Sequence, residues 1–256
     1  MRPLLSILLP GLANRNWERM ACEVKLQSDR FPDVELIVTV DSGIITSGAK
    51  RQALTDSARG DYIAFVDDDD EISANYVADL RAGCQSGAAV VTFRMDQSND
   101  GISQNVQRFS VCAADGTHDA DGIVVMQANH LCAWRREVAT SIAWDPGLGY
   151  GDDQLWYKSI HAMGGYREHH IPSVLYFYRW SAAGTANQRG WMIEHAQRLY
   201  AGGAELFRVA QHGVCIGIYG ADAVAGWEKI PVRDCRNRVY WIKRDDARSL
   251  ANIKIR

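Results

Sequence analysis

Short apolar runs alternate with helix-like periodicity through the first ninety-five residues, and this alternation restricts the fold more than any other feature. Runs rich in aliphatic residues are typical of strands buried on both faces. Four are present: Leu4–Leu9, Val34–Val40, Tyr62–Val66 and Ala88–Phe93. Between them apolar residues recur at helical spacing, and two of the helices are expected to stop near Gly60 and Gly83. The order βαβαβαβ predicts a doubly wound, mostly parallel α/β sheet with helices on both faces.

The second half of the chain is less regular. Residues 96–122 are rich in polar residues and glycine, which predicts loops or an edge hairpin. We expect a helix over Asp152–Met163, a strand over Ile171–Tyr178 and a further helix over Trp191–Gln211. The sequence has no internal repeat and no low-complexity linker, so we expect one domain with a C-terminal extension.

Charge and composition exclude several functional classes. The 256 residues carry a formal net charge of −3, which gives no general attraction to nucleic acid. No apolar stretch is long enough to span a bilayer, and Leu4–Leu9 is too short for the core of a signal peptide. Six cysteines are scattered without CxxC spacing, which favours free thiols over a zinc site. We therefore expect a soluble, cytoplasmic protein with no integral membrane segment.

Five acidic residues, Asp67 to Glu71, follow the third predicted strand directly. Ligands of open parallel sheets bind at the carboxyl ends of the strands. Crowded carboxylates raise one another's pKa unless a cation lies among them. A Mn²⁺ or Mg²⁺ ion takes such oxygen ligands and can also accept diphosphate oxygens. The alternative is a helix-capping cluster, but the position after a buried strand favours the metal site.

Two neighbouring segments supply further candidates for ligand binding. Asp41 ends the second predicted strand and could accept a hydrogen bond from a base or a ribose; the alternative is an ordinary Asp-Ser-Gly turn. Lys50 and Arg51 begin the next helix, where they could pair with phosphate or simply be solvated. Four aromatic residues could form a sugar-stacking platform, although core packing is their commoner use: Trp134, Trp144, Tyr150 and Trp156.

Together these segments resemble the inverting glycosyltransferases of family 2, which have the GT-A (Rossmann-like) fold. The matching stretches are Ser6–Pro10, Val34–Gly43, Lys50–Gln52 and Ala58–Asp70. The last of these resembles the turn and the strand that lead into the family's Asp-x-Asp (DxD) motif. The resemblance implies that Asp69 is the principal metal ligand, with Asp67 beside it. It also implies a set of donor-binding residues: Pro10, Asp41, Lys50, Arg51, Asp67 and Asp68.

A second match lies in the other half. Gly151–Trp156 resembles the family's Glu-Asp motif on the acceptor side, which implies that Asp153 is the general base. The alternative is that Asp152 and Asp153 cap a helix. The family pattern has glutamate where this chain has Asp152, and the loop Gly11–Asn16 lacks the usual Thr-Tyr-Asn pattern.

Two residues near the strand Ile171–Tyr178 complete the predicted site. Arg179 lies in a Tyr-Arg stretch that resembles one in the family, which implies an approach to the donor diphosphate. Some enzymes of this fold add a histidine to the metal from the later half of the chain. His170, next to His169, is therefore a candidate third ligand, although a structural or exposed pair is the commoner case.

The resemblance predicts a metal-dependent glycosyltransferase that moves a sugar, with inversion, from a nucleoside-diphosphate sugar to an unidentified acceptor hydroxyl. The nucleotide is expected to be UDP, with a guanosine or a thymidine diphosphate as the alternatives. Residues 1–95 would form the donor half, residues 96–212 the acceptor half of the same domain, and residues 213–256 an extension. One alternative is a sugar-phosphate nucleotidyltransferase, which needs a Gly-rich basic loop after the first strand. Another is a non-catalytic domain of this type that binds a sugar or a partner protein.

Overall fold

The computed structural model describes residues 2–112, 116–149 and 151–180, together with four short strands nearer the C-terminus. Its strands are β1 (Leu5–Leu12), β2 (Val34–Asp41), β3 (Tyr62–Phe65), β4 (Glu71–Ile72), β5 (Val90–Asn99), β6 (Ile102–Ser110), β7 (Thr117–His118), β8 (Val124–Gln127), β9 (Ala133–Arg135), β10 (Glu168–Trp180), β11 (Leu206–Val209), β12 (Val214–Ile218), β13 (Lys229–Arg233) and β14 (Val239–Lys243). Its helices are α1 (Trp17–Ser28), α2 (Ser47–Ser57), α3 (Tyr76–Cys84), α4 (Arg136–Ala139) and α5 (Asp152–Met163).

Twelve of the described strands form one mixed sheet, and β13 pairs with β14 separately. At the centre of the large sheet β12, β2, β1 and β3 lie side by side and parallel. The chain passes from β1 to β2 on one side and then back across β1 to β3 on the other. Because right-handed crossovers that run in opposite directions place their helices on opposite faces, α1 and α2 cover different faces. The strand order thus reverses between β1 and β3, and in open α/β sheets the ligand crevice lies at the carboxyl ends of the strands at such a point.

The strands predicted for the first ninety-five residues are confirmed as β1, β2, β3 and β5, with α1, α2 and α3 between them. The structure adds β9, which lies antiparallel between β3 and β5. A strand of three residues carries too little periodicity to be recognised in the sequence. The sheet is nonetheless mostly parallel around the crevice, as the alternation predicts.

The two glycines predicted to stop helices have a different role, which is to let neighbouring segments approach. α2 ends before Gly60, and a Cβ on that glycine would lie 2.6 Å from the backbone nitrogen of Ser6 in β1. Gly83 lies inside α3, where a Cβ would come within 2.5 Å of the Val91 side chain. Both positions therefore require glycine because of packing against the sheet.

The predictions for the second half have mixed outcomes. Residues 96–122 contain the hairpin of β5 and β6, whose turn residues Asp100 and Gly101 have φ of 47° and 79°. The predicted helix Asp152–Met163 is α5, and the predicted strand lies within β10. The helix predicted over Trp191–Gln211 is wrong at β11, which is a strand; residues 191–205 and 210–211 lie outside the described residues. Within the described ranges, no helix has the length and apolar character needed to cross a bilayer.

Three of the aromatic residues considered for a sugar platform belong to the core. Trp134, Trp144 and Trp156 are all fully buried. The rings of Trp144 and Trp156 stack with centroids 4.6 Å apart, and Trp134 meets Trp156 edge-on at 6.2 Å. The sugar-platform interpretation is therefore wrong for these three, and Tyr150 lies outside the described residues.

Candidate active site

The acidic run Asp67–Glu71 lies at the crevice between the carboxyl ends of β1 and β3. The backbone nitrogen of Leu12, at the end of β1, donates a 2.7 Å hydrogen bond to Asp68 Oδ2. Arg15, in the loop after β1, places Nη1 2.8 Å from Asp68 Oδ1 and 2.9 Å from Asp69 Oδ2. The run therefore lies where open α/β sheets bind their ligands.

Alternate aspartates of the run point in opposite directions. Asp68 and Asp70 are buried, and other residues of the chain donate hydrogen bonds to their carboxylates. Asp70 accepts hydrogen bonds from the Tyr176 hydroxyl and from the Arg179 backbone nitrogen, both at 2.7 Å. Burial raises the pKa of both carboxyls. The donor-binding role predicted for Asp68 is not supported, because its side chain is buried and its two oxygens are bonded by Leu12 and Arg15.

Asp67 and Asp69 face the crevice, with side chains 23% and 28% exposed. Burial, and next the negative charge of Asp67, raise the pKa of Asp69 to about 6, in spite of Arg15. Burial also acts to raise the pKa of Asp67, but Arg51 and His130 outweigh it and hold that pKa well below its usual range. The crevice therefore carries concentrated negative charge, which a bound cation would stabilise.

One buried guanidinium joins the two halves of the site. Arg51 donates from Nη1 to Asp152 Oδ2 at 2.7 Å and from Nη2 to Asp67 Oδ1 at 3.1 Å. The Ser47 hydroxyl donates a second hydrogen bond to Asp152, at 2.8 Å. The phosphate contact predicted for Arg51 is not supported, because its buried charge already serves two carboxylates. Asp152 thus accepts hydrogen bonds from Ser47 and Arg51 of α2, and it does not cap α5, the helix in which it lies.

Asp153 faces the same space as the acidic run. Its Oδ2 lies 3.8 Å from Nδ1 of His130, and Nε2 of His130 lies 3.3 Å from Asp67 Oδ2. Burial, and next the negative charges of Asp70, Asp67, Asp69 and Asp153, raise the pKa of Tyr178. No described side chain caps α5, which starts after Gly151. The helix-capping alternative is therefore wrong, and Asp153 is available to a ligand in the crevice.

Asp41 and Lys50 bond to each other at the end of β2. Lys50 Nζ lies 2.7 Å from Asp41 Oδ1 and 3.3 Å from the carbonyl oxygen of Gly11. Asp41 Oδ2 accepts hydrogen bonds from the backbone nitrogens of Ile44 and Ile45, at 2.6 and 2.8 Å. This is the turn that the sequence left as the alternative for Asp41. Lys50 is buried in an ion pair, so the phosphate contact predicted for it is not supported.

Arg179 and Pro10 occupy the borders of the crevice. Arg179 donates from Nε to Glu71 Oε2 at 3.1 Å and from Nη1 to Asp96 Oδ2 at 2.9 Å. Its guanidinium is thus held by two carboxylates, and the structure does not show it free to approach a diphosphate. Pro10 lies in β1, in register with Thr39 of β2. Its place near the end of β1 is the position that the resemblance requires.

His170 has a different environment from the other predicted metal ligands. Its Nδ1 lies 3.0 Å from Thr92 Oγ1, across the pairing of β10 with β5. Burial and the positive charge of Arg108 lower its pKa to about 4. None of these neighbours belongs to the acidic run. The structure therefore does not bring His170 to Asp67 and Asp69, and its predicted role as a third ligand is not supported.

Comparison with known proteins relates part of the site to a known family. Residues 29–142 match the family model described as glycosyl transferase family 2. These residues, a little under half of the chain, are similar to family 2 glycosyltransferases. The match includes the acidic run and His130 but ends before Asp153 and Arg179. No curated protein matches the sequence.

Solved structures of TarS from S. aureus share the GT-A fold of this chain. Residues 1–349 of TarS in complex with UDP-GlcNAc give a TM-score of 0.52 at 16% identity, over 78% of this chain and 66% of that one. The same fragment with UDP gives 0.51 at 18% identity, over 70% and 60%. A longer TarS structure gives 0.53 at 16% identity, over 70% and 37%. The chain thus spans less than two thirds of the TarS chains, and the likeness establishes the fold alone.

The carboxylates at the crevice fit a metal ion that is also coordinated by a bound substrate. Among the described residues, no group of three or more His, Cys, Asp or Glu side chains is arranged to hold an ion by itself. Asp67 and Asp69 nevertheless offer hard oxygen ligands side by side at the crevice. Mg²⁺ commonly takes one or two carboxylates and completes its coordination with water and substrate phosphates. The donor set therefore fits Mg²⁺ or Mn²⁺ together with a diphosphate.

Two residues of the site were missed as site residues by the sequence interpretation. Arg15 pairs with the acidic run across more than fifty residues, and His130 lies between Asp67 and Asp153. Neither residue belongs to a recognisable local pattern. The burial of His130, which requires polar partners for its ring, is visible only in the structure.

Proposed function

We propose that this protein transfers a sugar, with inversion, from a UDP-sugar to the hydroxyl of an acceptor, with Mn²⁺ or Mg²⁺ as cofactor. The observation that carries the proposal is the meeting of two carboxylate sets at one crevice. Asp67 and Asp69 face it from the end of β3, and Asp153 faces it from the start of α5. The TarS structures with UDP and UDP-GlcNAc support the choice of donor, since TarS shares the fold.

Asp67 and Asp69 would hold the cation on the donor side. When bound, the ion offsets the negative charge that develops on the departing nucleoside diphosphate, so no protein acid is needed there. Asp68 and Asp70 contribute by fixing the turn, through Leu12 and through Tyr176. The crevice thus presents two carboxylates in a fixed relation to the end of β1.

Asp153 would act as the general base on the acceptor side. As the acceptor oxygen attacks the anomeric carbon, its proton passes to the Asp153 carboxylate, and the bond from that carbon to the diphosphate oxygen breaks. A direct displacement of this kind inverts the anomeric centre. Arg51 keeps the neighbouring Asp152 engaged, which leaves Asp153 as the carboxylate of α5 that faces the crevice.

The division of the chain follows from this assignment. Residues 1–95 would bind the donor and residues 96–212 the acceptor, with residues 213–256 as an extension that adds β12 to the edge of the donor half's sheet. We place the activity in the cytoplasm, because the six cysteines are scattered through the sequence without CxxC spacing, which favours thiols that stay reduced.

The test is donor turnover with and without metal. Hydrolysis of UDP-GlcNAc, UDP-glucose and UDP-galactose is measured as UDP release with Mn²⁺, with Mg²⁺ and with EDTA. Wild type is compared with Asp69→Asn, with Asp153→Asn and with the control Asp61→Asn, which removes a carboxylate from an exposed surface pair. We expect metal-dependent release that Asp61→Asn retains and that both crevice variants lower by at least about 100-fold. UDP binding without turnover by wild type would indicate the non-catalytic alternative instead.

A further inference from the structure

His130 lies between the donor-side and the acceptor-side carboxylates, and it is held there by its surroundings. Its side chain is 5% exposed. The rings of Phe65 and Trp144 meet the imidazole edge-on, with centroids 6.1 and 6.4 Å away. These contacts fix the plane of the ring, so each ring nitrogen has a defined direction. A polar ring packed so tightly among aromatic side chains needs partners at both nitrogens.

The two nitrogens have unequal partners. Nε2 lies 3.3 Å from Asp67 Oδ2 and 3.3 Å from Nη2 of Arg51. Nδ1 is buried and makes no hydrogen bond to any described residue, but Asp153 Oδ2 lies 3.8 Å away. An approach of about 1 Å would bring that oxygen to hydrogen-bond distance. The partly exposed side chain of Asp153 is the member of the pair that can move.

Nε2 faces a donor, Nη2 of Arg51, and an acceptor, Asp67 Oδ2, both at 3.3 Å, so it can accept or donate a hydrogen bond, and the group opposite Nδ1 decides between the tautomers. If Nε2 accepts a hydrogen bond from Arg51, the neutral ring carries its hydrogen on Nδ1. If both nitrogens carry hydrogens, Nδ1 again points a donor at Asp153. In the remaining tautomer a lone pair on Nδ1 would face a carboxylate, which is unfavourable. The donor on Nδ1 therefore matches the acceptor that lies opposite it.

We propose that His130 is a positioning residue, whose Nδ1–H holds the Asp153 carboxylate in the orientation that receives the acceptor proton. This inference rests on the proposed function, because it assigns Asp153 as the base. His130 does not take the proton itself. It fixes one oxygen of the base and leaves the other towards the crevice, much as a second residue orients the base of other enzymes.

The two nitrogens can be tested separately with near-isosteric amides. Asparagine places its amide group near the position of Nδ1, whereas glutamine extends to the position of Nε2. We therefore compare His130→Asn, His130→Gln and His130→Ala, using the sugar nucleotide that wild type hydrolyses fastest among the three named above. We expect His130→Ala and His130→Gln to lower kcat for UDP release by about 10- to 100-fold. His130→Asn should recover most of that loss, with the donor KM changed by less than about threefold in all three.

A purely structural role makes different predictions. If the ring only fills space, glutamine should restore kcat at least as well as asparagine, and kcat should follow the melting temperature of each variant. A double-mutant cycle adds a readout that does not depend on packing. In an Asp153→Asn background, His130→Ala should lower kcat no further. Equal rescue by both amides, or a full additional loss in that background, overturns the inference.

The same assay distinguishes failure of this inference from failure of the proposed function. If wild type releases UDP from no sugar nucleotide with either metal, the proposed function fails and the role of His130 fails with it. If wild type is active and His130→Asn turns over no faster than His130→Ala, the enzyme assignment stands and only the role of His130 is wrong.

Discussion

Replacement of Arg51 by methionine should destabilise the protein strongly, because it strips the charge partner from buried carboxylates. Methionine keeps much of the aliphatic volume, so the main loss is the guanidinium. Asp152, 3% exposed, would retain only the Ser47 hydroxyl, while Asp67 would retain His130. Removing one partner of a buried ion pair costs about 3–5 kcal/mol. We expect the lower part of that range, about 3–4 kcal/mol, because Asp67 is partly exposed.

The measurement is urea unfolding followed by tryptophan fluorescence, with Arg2→Met as the control. Arg2 pairs with Asp61 at 3.0 Å, but both side chains are more than half exposed, so this control should change the free energy of unfolding by less than about 1 kcal/mol. In an Asp152→Asn background, Arg51→Met should cost about 2 kcal/mol less, since the buried charge is gone. A loss for Arg51→Met no greater than that of the control would refute the ion-bridge argument.

Three other variants test separate parts of the structure. Asp69→Asn in EDTA should stabilise the protein by about 1–3 kcal/mol at pH 7–8. The pKa of Asp69 is about 6 in the folded protein and 3.8 when unfolded, so wild type loses stability as the pH rises from the unfolded pKa through the folded pKa, whereas the asparagine variant does not. Unfolding curves that show the same difference at pH 4 as at pH 8 would contradict this. Gly60→Ala should cost about 1–3 kcal/mol, because its Cβ would strike the backbone of Ser6, and an unchanged melting temperature would disprove the close approach. Arg15→Gln should tighten Mn²⁺ binding without nucleotide by roughly fivefold, since about 1 kcal/mol of competing charge is removed; titration calorimetry showing weaker binding would argue against competition at Asp69.

The sequence predicted the layout of the sheet well because that information is local. Aliphatic runs and helical stripes are properties of neighbouring residues, and β1, β2, β3 and β5 follow from them. The acidic run could be placed at the crevice for the same reason, since it directly follows a buried strand. β9 was missed because three residues show no period, and its position depends on pairing with strands that are distant in the sequence.

The partners of the charged residues could not be predicted in the same way. Lys50 and Arg51 look like solvated or phosphate-binding residues because their acceptors are not adjacent in the sequence. Arg51 meets Asp152 about a hundred residues later, and Arg179 meets Glu71 over a similar separation. A single sequence shows which charges are present, but only the fold shows which of them neutralise one another. That is why the structure does not support the phosphate-binding roles that the sequence suggested for Lys50, Arg51 and Arg179.

The opposite orientations of neighbouring aspartates in the acidic run mean that its spacing matters more than its charge. Deletion of one of the four aspartates would leave a run that is still strongly acidic. It would nevertheless shift the following residues by one position. Carboxylates in the positions of buried Asp68 and Asp70 would then face the crevice, and those in the positions of Asp67 and Asp69 would face the interior. Such a deletion should abolish metal binding, whereas exchange of an aspartate for glutamate at the same position should only weaken it. The turn should thus tolerate a longer acidic side chain more readily than a change in the number of residues in the run.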